Sequence, residues 1–428
     1  MTVEELIARS KVAQKKFEFA TQEQADAAAR AVCKAVYDNA EMLGALAVED
    51  SRMGNLKDKI AKCRNKSALI WNDLKDKKSV GIINRMEDRR MLEIAKPMGV
   101  VASLIPSTNP VVTPMSNAAF ALKTRNSVIF SPHPRATKCV KLLTEMFRTE
   151  LAKLDFPEDL VLCIENATIE NSASLMSGAD VTVATGGMAM VKAAYSSGKP
   201  ALGVGQGNVQ CGLICLGEQC VFVPKNKYTV FVEEMKKQGA FYIDAPEAVD
   251  QLRKGLFPDG AFSRVVVGRN AAGVAEGAGI KDVPADARVL VVPAAATGSG
   301  DVLCREKLCP VVAIMAYDTF EQGVAMMVEN LEHEGKGHSI CVHSNNPEHV
   351  QYAALQCSVC RVVVNQPSGT TGGGSPNNGF VPTTTLGCGS WGNNSFSGNL
   401  SYFHLMNITR VGYPCEESVM PDMDQVWQ

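Results

Sequence analysis

From residue 100 onward the chain repeats one pattern, a short apolar run followed by a helical stretch and then another apolar run. VVASLI, SVIF, LVLCI, VTVAT and ALGVG succeed one another in this way. Alternation of this kind predicts strands joined by helices, hence a parallel sheet covered on both faces. In such a doubly wound sheet the ligand binds beyond the carboxyl ends of the strands, and a nucleotide is the usual one. An α/β domain that binds something else fits the same pattern, because fold does not fix function.

A second set of units comes next, with VFVP, SRVVVG, ARVLVVP, PVVAIMA, SICVHS and CRVVVN as expected strands and KYTVFVEEMKKQG and FEQGVAMMVENLEHE as helices between them. Ahead of both sets, the first 75 residues or so read as helices, with Thr21 and Gln24 spaced as a capping box. Residues 78–97 read as a hairpin around a charged turn, with too little apolar surface to be stable alone. The tail from Pro367 is rich in Gly, Ser, Thr and Asn and ends in a strand-like run around His404 to Val411. The expected division is residues 1–210 for the lead-in helices and cofactor domain, 211–375 for a catalytic domain, and 376–428 for a return to the cofactor domain and a tail.

Of 428 residues, 46% are hydrophobic and 21% charged, enough for a sizeable core. Lys and Arg number 43 against 45 Asp and Glu, with no long block of one sign, so a nucleic-acid partner is not expected. No apolar run approaches the roughly 20 residues that cross a bilayer, and the start, MTVEELIARSKVAQKKF, has no signal-peptide core. A cytoplasmic protein acting on small molecules is expected. Fourteen Cys without a secretory signal suggest free thiols in a reducing compartment. Cys211, Cys215 and Cys220, or Cys357 and Cys360, would be the places for a metal. Neither group has the second close ligand pair of a structural zinc site, so none is expected.

Several residues stand where chemistry would need them. Thr185, Gly186 and Gly187 end a strand and open the helix MAMVKAAYSSG, so backbone N–H groups there can hold a phosphate; a plain tight turn reads the same way. Asn109, in PSTNPVVTP, sits in a rigid turn after a strand, where its amide can donate to a developing oxyanion or simply form the turn. Cys215 lies between Gly212 and Gly217, so backbone can approach a substrate closely and its thiolate can attack a carbonyl. A buried apolar cysteine, or Cys211 or Cys220 in the same role, fits these residues equally well.

Taken together, IPSTNP, LKTRNSVIFSPHPRA, ATGGMAMVKAAYSSGKPALGVGQGN, ICLGEQC, REKLCPVVAIM, GKGHS and TTTLGCGSWGNNS resemble, in order and over nearly the whole chain, the CoA-acylating aldehyde dehydrogenases. These include the aldehyde dehydrogenase half of bifunctional aldehyde-alcohol dehydrogenases and the monofunctional enzymes of bacterial microcompartments. The resemblance implies an aldehyde dehydrogenase-like fold: a Rossmann-type cofactor domain, an α/β catalytic domain and a small β element for oligomerisation. It makes Cys215 the nucleophile of a Cys-x-x-Glu-Gln motif, with Cys211 and Cys220 bystanders, and Asn109 the oxyanion-hole amide. Glu306 matches the acid that holds the nicotinamide ribose, Thr185 to Gly187 the turn near the cofactor, and Ser131, Pro132, His133 and Pro134 the stretch bordering the adenosine ribose. His338 stands where the family carries a histidine near the thiol site.

The implied reaction has two halves. Cys215 adds to a short aldehyde (acetaldehyde, propionaldehyde or sulfoacetaldehyde), a hydride is given to NAD, and coenzyme A takes the acyl group. Hydrolytic relatives carry a water-activating Glu at a point near Gly203, in GVGQGN; without that base a thiol is the natural acceptor. No acid comes after the second strand and Arg135 is close, so NADP stays open beside NAD.

One departure stands out. Gly203 and Cys215 are 12 residues apart, where the family has a strand and a helix, on the order of thirty residues. Either the chain carries a deletion there, or the protein has about twenty residues more between Gln210 and Cys211 than this sequence shows. The second is expected, because loss of a β-α unit leaves apolar faces uncovered; an intact mass near 45.9 kDa would contradict it.

No alcohol dehydrogenase domain is present after these motifs, which points to a monofunctional enzyme. The hairpin and the tail imply a homodimer or a tetramer of dimers, free in the cytoplasm or within a microcompartment. The competing readings are a non-acylating or semialdehyde dehydrogenase of the same fold, and an inactive structural homologue.

Overall fold

The computed structural model describes residues 1–205, 217–414 and 421–428. Four helices lead in: α1 (Val3–Phe17), α2 (Gln22–Asp38), α3 (Ala40–Ser51) and α4 (Leu56–Leu74). The capping box at α2 forms as expected, with Gln24 N donating to Thr21 Oγ1 and Thr21 N to Gln24 Oε1. The small residues Ala25, Ala28, Ala29 and Val32 of α2 recur at helical spacing and are fully buried.

The hairpin consists of β1 (Gly81–Met86) and β2 (Met91–Pro97). It gains a third strand from the far end of the chain, β16 (Met406–Gly412), which pairs antiparallel with β2 from Met406 opposite Pro97 to Gly412 opposite Met91. A two-stranded ribbon with little apolar surface is thus completed by the tail.

The first α/β set runs β3 (Val100–Ile105), α5 (Val112–Lys123), β4 (Ser127–Pro132), α6 (Thr137–Ala152), β5 (Val161–Cys163), α7 (Ile169–Gly178), β6 (Val181–Thr185), α8 (Met188–Tyr195) and β7 (Ala201–Val204). All pairings are parallel, in the spatial order β5-β4-β3-β6-β7. The chain winds outward from β3 through β4 to β5, then returns to the other side of β3 with β6. That reversal makes the gap between β3 and β6 the topological switch point of a doubly wound sheet.

The second set comprises β8 (Cys220–Pro224), α9 (Tyr228–Lys237), β9 (Ala240–Tyr242), α10 (Pro246–Leu256), α11 (Ala271–Gly277), β10 (Val289–Pro293), β11 (Val311–Tyr317), α12 (Phe320–His333), β12 (Gly337–Val342), α13 (Pro347–Gln356), β13 (Val359–Val364), α14 (Ser368–Thr371), β14 (Leu386–Cys388) and β15 (Ser397–Asn399). Strands β8, β11, β10 and β9 form a parallel sheet in that order, and β12 pairs with β13. A last short helix, α15 (Met423–Val426), lies near the end.

One expected strand is absent from this set: SRVVVG does not extend but turns, with Val265 exposed, Val266 buried and Gly268 at φ +73°. The place beside β10 belongs to the three-residue β9, too short to show as an apolar run.

Candidate active site

Three expected cofactor and oxyanion segments emerge from the same edge of the first sheet. In register, Leu104 of β3 stands between Ser131 of β4 and Ala184 of β6. The segments Ser131–Pro134, Ile105–Asn109 and Thr185–Gly187 therefore leave adjacent strands at their carboxyl ends, around the switch point.

Asn109 sits in the turn between β3 and α5 and is half-buried. Its side-chain oxygen accepts a hydrogen bond of 2.5 Å from Lys62 Nζ on α4. With the oxygen engaged by an ammonium, the amide nitrogen is the end left to donate, which is the orientation an oxyanion requires. Lys62 is a residue the sequence reading missed. Its signal was the spacing of Lys59, Lys62 and Lys66 along α4, which also describes an ordinary solvated helix face. Lys59 Nζ donates to Thr108 O at 2.9 Å, and Lys66 Nζ to Gly373 O at 2.8 Å and Gly374 O at 3.3 Å. Burial and the neighbouring Lys62 charge push both Lys59 and Lys66 down to about 8.

At the β6 end, Gly187 is the residue before α8, and a Cβ placed on it would meet no atom of the described residues within 4 Å. A helix start of this kind can present backbone N–H groups to a phosphate-bearing cofactor. Thr185 Oγ1 lies 3.1 Å from Thr385 Oγ1, which ties the turn to the TTTLGCGSWGNNS segment. Ser131 is buried, with its hydroxyl 2.8 Å from Ser172 Oγ, and His133 Nδ1 accepts from Arg135 N at 3.0 Å. Burial, then the Arg135 charge, lowers the His133 imidazolium below its ordinary range.

Cys215 and Cys211 lie outside the described residues. Cys220 begins β8 fully buried, its sulfur packed near the carbonyls of Leu303 and Cys304. The Glu-Gln pair of the Cys215 motif acts as two tethers. Glu218 Oε1 accepts from Ser368 N at 2.9 Å and lies 3.6 Å from Cys341 Sγ on β12. Gln219 Oε1 accepts from Lys307 N at 2.8 Å, one residue beyond Glu306. Burial raises the Glu218 carboxyl to about 7 against the two hydrogen bonds it accepts. Glu306 itself is 6% exposed, and its N–H donates to Glu334 Oε2 at 2.6 Å.

His338 is placed less openly than its motif suggests. It lies in β12 with 0% exposure, Nδ1 3.1 Å from Ser339 Oγ and Nε2 without a hydrogen-bond partner among the described residues. Strand alternation puts it on the face of β12 opposite Cys341. Burial, then the nearby Arg361, pushes it down to about 3, so it is neutral at physiological pH.

Gly203 in β7 is packed against α8. A Cβ there would stand 2.8 Å from Val191 Cγ1 and 3.1 Å from the Tyr195 hydroxyl, which itself accepts from Gly203 N and donates to Gly203 O. A side chain has no room at this point. A cleft of about 1190 Å³ opens elsewhere, between α2, α4 and residues 375–382, with Arg30, Lys34, Asp38 and Asp73 among its walls.

The family model described as the aldehyde dehydrogenase family matches residues 1–203. A succinate-semialdehyde dehydrogenase (acetylating) of Clostridium kluyveri is 46% identical over 450 aligned positions, covering 100% of this chain and 99% of the relative. Those 450 positions exceed the 428 residues present, so the alignment carries gaps on this chain's side. A sulfoacetaldehyde dehydrogenase (acylating) of Bilophila wadsworthia is 33% identical, covering 94% of this chain and 93% of that one. Among solved structures, an acetylating aldehyde dehydrogenase from Geobacillus thermoglucosidasius superposes with a TM-score of 0.92 at 35% identity, covering 98% of this chain and 97% of the other.

Proposed function

We infer that this chain, which belongs to the aldehyde dehydrogenase family and to its CoA-acylating branch, oxidises a short aldehyde with NAD(P) and coenzyme A to an acyl-CoA. Cys215 is the nucleophile in this reading. Its thiolate adds to the aldehyde carbon, and the oxyanion that forms accepts hydrogen bonds from the Asn109 amide and the Cys215 N–H. When bound, the nicotinamide cofactor supplies the hydride acceptor, and Glu306, Thr185, Gly186 and Gly187 are the residues that would hold it, with Ser131 to Pro134 beside the adenosine ribose. The thioester left on Cys215 then passes its acyl group to the coenzyme A thiol, which frees the cysteine. His338, buried and neutral, would act from beside the thiol site as a hydrogen-bonding group.

The observation that carries this reading is the bond from Lys62 to Asn109 at the switch point, which leaves the amide nitrogen as the donor. Support for a thiol acceptor over water comes from Gly203, where no base fits. Assembly as a homodimer or a tetramer of dimers through the β1-β2-β16 sheet belongs to the same reading, as does a cytoplasmic site of action. Chromatographic analysis of the products tests it. Acyl-CoA formed in step with NADH is expected, and free acid as the main product in the presence of coenzyme A would overturn it.

A further inference from the structure

Lys59, Lys62 and Lys66 lie three and four residues apart, so they share one face of α4, and that face is turned toward the Asn109 turn and the Gly373–Gly374 backbone. From Lys59 to Lys66 the row spans roughly 10 Å along the helix. All three lysines are half-buried, and the described bonds of Lys59 and Lys66 go to backbone carbonyls. Neither joins an ion pair among the described residues. An ammonium has three donors, of which Lys59 uses one and Lys66 two in these bonds. Partly desolvated cations such as Lys59 and Lys66, whose described bonds go to carbonyl oxygens, cost stability, and an anion brought beside them recovers part of it.

We propose that Lys59, Lys62 and Lys66 form a subsite for the anionic end of the substrate, an aldehyde that carries a carboxylate or sulfonate a few carbons from its carbonyl. The geometry is consistent with the chemistry next door. Lys62 bonds the same Asn109 whose amide would hold the oxyanion, so a substrate with its carbonyl at Asn109 has the cationic row within reach of a short chain. A neutral aldehyde of equal length would leave Lys59 and Lys66 uncompensated. This assignment rests on the aldehyde dehydrogenase reading above and deepens it to a substrate class.

The test compares 4-oxobutanoate and sulfoacetaldehyde with butanal, a neutral aldehyde with the carbon number of 4-oxobutanoate, in wild type, Lys66→Met and Lys66→Arg. In wild type at least one anionic aldehyde should exceed butanal in kcat/KM by about tenfold or more, the worth of a charged hydrogen bond. That ratio should fall by about tenfold in Lys66→Met and be largely kept in Lys66→Arg. Which anion is better separates carboxylate from sulfonate. Butanal used as well as both anionic aldehydes in wild type overturns the proposal, whether or not the variants fold. So does a Lys66→Met effect confined to a higher KM for coenzyme A with every aldehyde, because the row would then hold the coenzyme. If no aldehyde gives turnover dependent on coenzyme A, the enzymatic reading fails, and the subsite is judged by calorimetry with succinate. Binding to wild type that Lys66→Met abolishes sustains it, and no binding ends it.

Discussion

Lys62 Nζ and Asn109 Oδ1 are 2.5 Å apart, which joins the lead-in helix α4 to the turn at the carboxyl end of β3. If that bond orients the amide, removal of Lys62 should slow the chemical step. With butanal as the aldehyde, Asn109→Ala is expected to lower kcat by about 10²- to 10³-fold, and Lys62→Met by less. In the Asn109→Ala background, Lys62→Met should cost little more, since both act through one donor. Steady-state kinetics of the two single variants and the double variant check this; additive losses would separate the roles.

Glu218 gives the protein a pH signature. Its carboxyl is raised to about 7 from the ordinary 4.5, so between these values the folded state binds a proton that the unfolded state has lost. Stability from this group is present below about 4.5 and is lost as pH rises toward 7. Glu218→Gln keeps an acceptor for Ser368 N and has no charge to bury. Thermal melts should therefore show the variant gaining on wild type as pH goes from 5 to 8.

His338 acts with the opposite sign. Its folded value is depressed to about 3 from 6.5, so its contribution is present above 6.5 and is lost as pH falls through that range. His338→Gln should flatten the acid side of the stability profile, read by melts between about pH 4 and 7. In wild type, kcat/KM should show no inflection near 6.5 that His338→Gln removes, because the ring does not take up a proton there.

Gly203 sets a limit on redesign. Gly203→Glu should not create a hydrolytic enzyme, because its first carbon already meets Val191 and Tyr195. The expected outcome is a loss of about 1 to 3 kcal/mol from overpacking, with no release of free acid. Denaturant unfolding and product analysis check both halves, and a stable variant that hydrolyses the thioester would contradict the packing argument.

Much of this architecture could be read from the sequence, because its signals are local. The apolar runs of β3, β4, β6 and β7 are buried strands in the order their spacing implies, and Thr21 caps α2 as its neighbours suggest. What escaped depends on distance along the chain. Lys62 and Asn109 are brought together by tertiary packing, and nothing in KDKIAKCRNK distinguishes a row facing a site from one facing water. Glu218 and Gln219 read as part of a cysteine motif, while their tethers, Ser368 and Lys307, lie far along the chain. SRVVVG had the composition of a strand but no vacant sheet edge, and β9 had the edge with only three residues. The motif histidine could be found by resemblance; its burial in β12 could not.

The central claim, acyl transfer through Cys215 to coenzyme A, is tested most directly by monitoring NADH formation from an aldehyde and NAD, with and without coenzyme A, in wild type and Cys215→Ala. Turnover that requires coenzyme A in wild type and disappears in the variant is the predicted result. Turnover indifferent to coenzyme A, or undiminished in Cys215→Ala, would contradict it.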